Sequence, residues 1–149
     1  MRVATKAYGP IDVDERQKIV FPYGIFGFEK LHGYLLLDAA QAPFYWLQSL
    51  EVVEIAFVMI SPRVFHPDYR LEVSQEEIEE IGIDCPEKML DFAIVTVPEN
   101  PMEMTANLQG PIIINRDTRV GRQCISLNPD YGVRHPILKE LALQREGPC

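Results

Sequence analysis

The stretch EIAFVMI (54–60) is apolar at almost every position instead of alternating, which is typical of a strand buried on both faces. FAIVTV (92–97) repeats this pattern, and we expect both stretches to form central strands of a sheet. Turn residues separate them from further short β-rich runs: RVATKA (2–7), KIVF (18–21), YLLLD (34–38), FYWLQSL (44–50), PIIIN (111–115) and RQCISL (122–127). The sequence therefore predicts a mainly β fold, a small antiparallel β-barrel-like single domain.

Short helices complete the predicted fold. Ser74 followed three residues later by Glu77 is a capping-box pattern, and Gly82 stands where such a helix would end. A second single turn is expected near Pro86. The segment after Pro136 has helical spacing of its leucines, so the tail 138–149 is compatible with a further helix.

Charge and length exclude several classes of protein. The chain of 149 residues has 14 Lys and Arg against 22 Asp and Glu, a formal net charge of −8. Such an acidic surface disfavours direct binding of nucleic acid, whose affinity comes mostly from Lys and Arg contacts to phosphate. The longest apolar run, IAFVMI (55–60), is far shorter than the ~20 residues that span a bilayer. With no readable secretory signal in residues 1–15, we expect a cytoplasmic protein without a membrane partner.

The chemistry-bearing residues are sparse. The three cysteines, Cys85, Cys124 and Cys149, are widely separated and show no metal-ligand spacing, which argues against a disulfide framework. One alternative remains open: a small hydrolase in which Cys124 or Cys85 works with His66 or His135. In RQCISL, the alternation would put Cys124 near the surface, although a buried thiol is the simpler interpretation.

No catalytic signature with defined spacing is present, neither a phosphate-binding glycine loop nor a nucleophile elbow. His32, His66 and His135 each stand alone in the sequence. We therefore predict no catalytic, metal or cofactor site and no small-molecule substrate.

Three features are candidates for binding a protein partner. The loop after Pro22 contains Phe26 and Phe28 where polar residues are expected, so it either folds back into the barrel or forms a binding surface. The glutamates of the short helix, Glu76, Glu77, Glu79 and Glu80, are either a solvated face or a docking face for a basic partner.

The third feature is the polar residues around Gln109–Pro111, which we expect to join two strands. Asn107 and Asn115 either satisfy the backbone of turns or offer hydrogen bonds to a partner. The one tryptophan, Trp46, is similarly either a core residue or an interface anchor.

Six blocks of sequence, taken together, resemble the bacterial flagellar assembly factor family FliW over residues 2–137. They are FPYGIFGFE (21–29), FYWLQSL (44–50), AFVMISPRVFHPDYRLEVS (56–74), FAIVTVPEN (92–100), MTANLQGPIIIN (104–115) and YGVRHPI (131–137). The chain departs from the family pattern at Gln109–Gly110 and at Cys124. We accordingly divide it into a FliW-like β domain, 1–137, and the C-terminal tail, 138–149.

The resemblance implies a binding protein that is not an enzyme and has two antagonistic partners. One is flagellin, and the other is the carbon storage regulator CsrA, a translational repressor of flagellin synthesis. A chaperone of the same fold for another secreted subunit is the nearest alternative. The residues expected to contact a partner are Phe26, Phe28, Glu29, Glu76, Glu77, Glu80, Asn107, Asn115 and Arg134.

Overall fold

Antiparallel strands make up most of the computed structural model, which describes residues 1–145. The strands are β1 (Arg2–Thr5), β2 (Gly9–Asp12), β3 (Lys18–Val20), β4 (Gly33–Asp38), β5 (Phe44–Ser49), β6 (Ala56–Ile60), β7 (Met89–Thr96), β8 (Thr105–Ala106), β9 (Ile112–Asn115), β10 (Gly121–Gln123) and β11 (His135–Pro136). Two α-helices, α1 (Gln75–Glu80) and α2 (Leu138–Arg145), join them, with four 3₁₀ turns at Glu15–Gln17, Pro62–Val64, Pro86–Lys88 and Pro101–Glu103. The mainly β prediction is confirmed.

Nine of the strands form one sheet in the order β10-β9-β7-β6-β5-β4-β3, while β8 pairs with β7 and β11. The two stretches that are apolar at successive positions, EIAFVMI and FAIVTV, form β6 and β7, and both strands are central, as predicted. Strands β1 and β2 form a separate two-stranded sheet. The outer strands of the large sheet approach each other at one bridge, where the Val20 N–H donates to the carbonyl of Arg119 at 3.0 Å. The sheet therefore curls like a barrel without closing.

The strand prediction misses β2 and β11, and it differs from the structure at two further points. The segments on either side of Gln109–Pro111 do not pair with each other, because β8 pairs with β7 and β11 whereas β9 pairs with β7 and β10. The last predicted strand was expected to reach residue 127, but β10 ends at Gln123.

Burial explains why the sheet curls. One cluster of buried apolar residues lies inside the sheet. Its members come from β3, β4, β5, β6, β7, β9 and the loop after β3. They are Ile19, Phe21, Ile25, Tyr34, Leu47, Met59, Phe92, Ile112 and Ile114. A second cluster, which includes Phe65, Tyr69 and Leu141, lies beneath α2. The removal of this apolar surface from water is the main stabilising term of the fold.

Both helices lie where the sequence predicts them, but α1 is not capped as expected. Ser74 precedes α1, yet its side chain makes no capping hydrogen bond. A complete capping box occurs instead at Asp14 and Gln17, around the first 3₁₀ turn. The eight residues of α2 are too few for an isolated helix, so packing of Leu141 into the second cluster holds it in place.

Neither helix within residues 1–145 has the length and hydrophobicity that a bilayer span requires. The division of the chain at residue 137 stays a prediction. Cys149 lies outside the described residues.

Candidate partner-binding surface

The apolar loop between β3 and β4 is partly core and partly surface. Gly24, with a φ of +68°, closes a turn in which its N–H donates to the carbonyl of Phe21 at 3.0 Å. This turn places Ile25 in the core, and Phe28 packs edge-on against Phe57 with 5.2 Å between ring centroids. Phe26, by contrast, is 52% exposed. The loop therefore folds inward at Ile25 and Phe28, and a binding role stays a prediction for the exposed Phe26.

The buried side chain of Gln123 fixes the loop to the last strand of the sheet. Its Oε1 accepts a hydrogen bond from the Phe26 N–H at 2.9 Å, and its Nε2 donates to the carbonyl of Gly110 at 3.0 Å. Because both ends of the amide are used, Gln123 determines where Phe26 emerges at the surface. The sequence analysis missed this residue, since a glutamine in a short strand carries no distinguishing signal.

Arg122 joins this loop to the acidic helix. Its guanidinium lies 3.7 Å from the Glu77 carboxylate, forms a second ion pair with Glu80, and stacks over the ring of Tyr23 at 4.6 Å. Tyr23 is 55% exposed and lies three positions before Phe26 in the loop. We call the set Tyr23, Phe26, Glu77, Glu80 and Arg122 the Arg122 surface. Two features that the sequence suggested separately meet there, and Arg122 itself was missed.

The glutamates of α1 divide into two pairs. Glu77 and Glu80 are held by Arg122, whereas the exposed Glu76 and Glu79 make no ion pair among the described residues. Glu79 receives only a hydrogen bond from Gln75, at 3.3 Å. The interpretation as a simple solvated face is therefore incomplete, because half of these charges belong to an ion-pair network.

Glu29 is exposed at the end of the loop. Its carboxylate accepts hydrogen bonds from the Gly27 N–H, at 3.1 Å, and from its own N–H, and these bonds lower its pKa below the ordinary value. Arg134 is also exposed and lies directly before β11, away from β10 in the strand order.

The two asparagines serve the fold. Asn115 is only 1% exposed; its amide donates to the carbonyl of Ile81, and its Oδ1 accepts from the N–H groups of Asp117 and Thr118. The Oδ1 of Asn107 likewise accepts from Gln109 and Gly110. The expectation that these residues contact a partner is corrected for Asn115, which is buried. For Asn107, the turn interpretation matches the observed hydrogen bonds.

An apolar groove of about 520 Å³ was not predicted from the sequence. It lies where β5, β6 and the segment after β7 meet, and its lining includes Phe44, Trp46, Val58, Val97 and Met104. Trp46 is half-buried, so it serves both the fold and this groove. The only lining residue that the sequence analysis singled out was Trp46, as either a core residue or an interface anchor. Val97 is exposed, but isolated exposed apolar residues are common on all proteins and give no signal.

The cysteines do not fit the hydrolase alternative. Cys124 is fully buried, and burial together with the nearby Glu77 carboxylate raises the pKa of its thiol to about 12. The simpler interpretation of the sequence, a buried thiol, is confirmed. The surface position that the alternation allowed is not observed, because the alternation ends with β10 at Gln123 and Cys124 turns into the core with Ile113. A hydrogen bond to Glu87 also raises the pKa of Cys85. A raised pKa leaves less of each thiol as thiolate, so neither cysteine shows the activation that a nucleophile requires.

The histidines are not all isolated, contrary to the sequence-based expectation. His66 and His135 both contact the carboxylate of Glu140 on α2, with 2.7 Å between His66 Nδ1 and Glu140 Oε2. Burial alone would raise the pKa of Glu140, but the hydrogen bonds from His66 and His135 outweigh burial and lower it. The fold brings these residues together from positions far apart in the chain.

Fold and surface together define a mainly β protein with a curled antiparallel sheet and a mixed aromatic and acidic patch. Residues 2–137 match the FliW protein family model. The flagellar assembly factor FliW of Caldanaerobacter subterraneus subsp. tengcongensis is 45% identical over 143 residues, covering 95% of both chains. That of Treponema denticola is 40% identical over 141 residues, covering 95% of this chain and 96% of its own.

The crystal structure of a flagellar assembly factor FliW superimposes with a TM-score of 0.84 at 33% identity, covering 91% of this chain and 96% of that one. The chain therefore belongs to the FliW family of flagellar assembly factors.

Proposed function

We propose that this flagellar assembly factor binds flagellin and the repressor CsrA in alternation, in the cytoplasm, and acts as a binding protein without catalytic activity. Export of flagellin would leave the protein free to capture CsrA and so restore flagellin synthesis. Each partner then affects the other only by changing the concentration of unbound assembly factor. The meeting of exposed aromatic and acidic side chains at Arg122 is the observation that carries this proposal.

Charge supports CsrA as the partner of the Arg122 surface. A basic RNA-binding protein is attracted by a chain with a net charge of −8. Glu76 and Glu79 are exposed on the helix that carries Glu77 and Glu80, outside the Arg122 ion pairs. Tyr23 and Phe26 offer the aromatic contact area on which interface affinity depends.

The apolar groove around Trp46 supports flagellin as the second partner. A groove lined by Trp46, Val58 and Met104 suits the apolar face of an amphipathic helix, which presents side chains at i, i+3 and i+4. The sequence analysis offered the loop after Pro22, 23–28, as a possible binding surface. Because Ile25 and Phe28 of that loop are packed inward, we now assign the helix to the Trp46 groove.

Charge reversal tests the first assignment. We expect the double change Glu76→Lys and Glu79→Lys to slow association with CsrA about tenfold at low salt, because both residues are exposed and lie outside the Arg122 ion pairs. Stopped-flow association at several salt concentrations measures this effect. The matched control is Glu15→Lys with Glu54→Lys, which changes net charge equally at exposed positions elsewhere. Equal slowing by both double variants would show that CsrA does not dock at α1.

A lysine in the groove tests the second assignment. We expect Val97→Lys to weaken flagellin binding at least about tenfold, because an ammonium group buried in an apolar groove loses its hydration. Titration calorimetry with purified flagellin measures the affinity. Val53→Lys is the control, since Val53 is exposed but lies outside the groove. If folded wild-type protein binds neither flagellin nor CsrA, the proposal is wrong, and a chaperone for another secreted subunit becomes the better explanation.

A further inference from the structure

Three side chains from separate elements converge near the C-terminal helix. His66 follows the 3₁₀ turn Pro62–Val64, His135 lies on β11 and Glu140 lies on α2. One nitrogen or oxygen atom from each lies within 4.8 Å of the others. Neighbouring rings hold the imidazoles in place: Phe65 lies 5.8 Å from His135 and Tyr131 lies 6.3 Å from His66, between ring centroids. The cluster is thus a positioned group of donors with supporting contacts.

The donor set points to a particular class of ligand. Two imidazole nitrogens and one carboxylate are a common set for Zn²⁺, which binds nitrogen at about 2.0–2.1 Å and oxygen at about 2.0–2.2 Å. Ca²⁺ and Mg²⁺ prefer sites built wholly from oxygen. The three side chains are 26–31% exposed, so an ion can enter from solvent and water can complete the coordination.

We propose that His66, His135 and Glu140 bind one divalent transition-metal ion, with Zn²⁺ the best fit. The carboxylate now bridges the two imidazoles, with His66 Nδ1 at 2.7 Å from Glu140 Oε2. A small rotation of Glu140 opens this bridge, and the ion then binds His66 Nδ1, His135 Nε2 and the carboxylate. Any proton on a metal-binding nitrogen leaves to solvent, and each imidazole stays neutral because its other ring nitrogen carries the one remaining proton. The bound ion fastens α2 to β11 and to the turn that precedes His66.

Cobalt provides a direct test, because Co²⁺ replaces Zn²⁺ and its visible absorption reports coordination by nitrogen and oxygen. The experiment uses the full chain, with Cys85→Ser and Cys149→Ser to remove competing thiols, after treatment with EDTA and removal of the chelator. We expect one equivalent of Co²⁺ to produce this absorption and one equivalent of Zn²⁺ to displace it. A rise in the unfolding temperature with Zn²⁺ is expected as well, because ligand binding to the folded state stabilises it.

Variants decide whether these three residues are the ligands. Glu140→Gln keeps the shape of the side chain, and we expect it to weaken Co²⁺ binding at least tenfold. His135→Gln should do the same. His32→Gln is the matched control, since His32 contacts the carbonyl of Phe21 and lies outside the cluster. If either cluster variant fails to fold by circular dichroism, His66→Gln takes its place. Absence of Co²⁺ absorption in the parent protein, or its retention in the folded cluster variants, would overturn the proposal.

Discussion

Replacement of Gly24 by alanine should destabilise the protein more than the same change at Gly9. Both glycines have nearly the same left-handed backbone, with φ values of +68° and +66°. They differ in their surroundings: a Cβ at Gly24 would lie 2.5 Å from the Cα of Glu29 and 2.8 Å from its carbonyl carbon and oxygen, whereas a Cβ at Gly9 would meet nothing within 4 Å. Gly9→Ala therefore measures backbone strain alone, and Gly24→Ala adds a steric clash.

The expected magnitudes follow from these contacts. A left-handed backbone costs an L residue about 1–2 kcal/mol. Replacing glycine by alanine also lowers the conformational entropy of the unfolded chain, which stabilises the folded state by about 0.4–1 kcal/mol. Gly9→Ala should thus lower the free energy of unfolding by about 1 kcal/mol. Overpacking adds about 1–3 kcal/mol, so the loss for Gly24→Ala should be about 2–4 kcal/mol, since backbone atoms cannot rotate away.

Equilibrium unfolding in urea, followed by the fluorescence of Trp46, measures both losses. The midpoint should fall in each variant while the denaturant slope stays constant, which shows that stability alone has changed. Equal losses for the two variants would refute the reasoning, because they would mean that the loop does not bring the Glu29 backbone against Gly24. A larger loss at Gly24 would support the loop geometry that presents Phe26.

Two further predictions concern buried positions. Burial raises the pKa of the Cys124 thiol to about 12, so iodoacetamide at mildly alkaline pH should leave Cys124 unmodified until the protein is unfolded. Peptide mass mapping measures the modification, and rapid modification of the native chain would contradict the burial of Cys124. Gly121→Ala should lower the free energy of unfolding in urea by about 1–3 kcal/mol, because its Cβ would lie 2.8 and 2.9 Å from atoms of the Phe21 ring. The control is Gly132→Ala, whose Cβ would have nothing within 4 Å and which should change the free energy of unfolding by less than about 0.5 kcal/mol. An equal loss of stability in Gly121→Ala and Gly132→Ala would exclude overpacking as the cause.

Local patterns predicted the strands with strong apolar runs. β6 and β7 were identified as central because strands covered on both faces need apolar residues at successive positions. β2, with the sequence GPID, was missed, since glycine, proline and aspartate disfavour strands. Pairing with β1 and packing of Ile11 against a buried apolar cluster hold it in place. β11, with two residues, depends similarly on its neighbour, so no single-strand pattern reveals it. For β8, the sequence predicted a strand before Gln109 but not its pairing with β7 and β11.

The candidate surface was predicted in parts but not as a whole. The apolar loop and the acidic helix each stand out because their composition is unusual for their position. Their meeting depends on Arg122, which is 42 residues from Glu80 in sequence, and on Gln123, which is 97 residues from Phe26. Contacts at such separations follow from the order of strands in the sheet. The convergence of His66 and His135 on Glu140 was missed for the same reason.

The hydrogen bond between Phe26 and Gln123 can form only late in the synthesis of the chain. A ribosome adds about 5–20 residues per second, so the 97 residues between these partners take on the order of ten seconds to appear. During that interval the loop has been made but lacks the strand that orients it, and the acidic helix lacks Arg122. The Arg122 surface therefore does not exist on the growing chain, and we expect a partner that recognises it to engage only molecules from which Gln123 has already emerged.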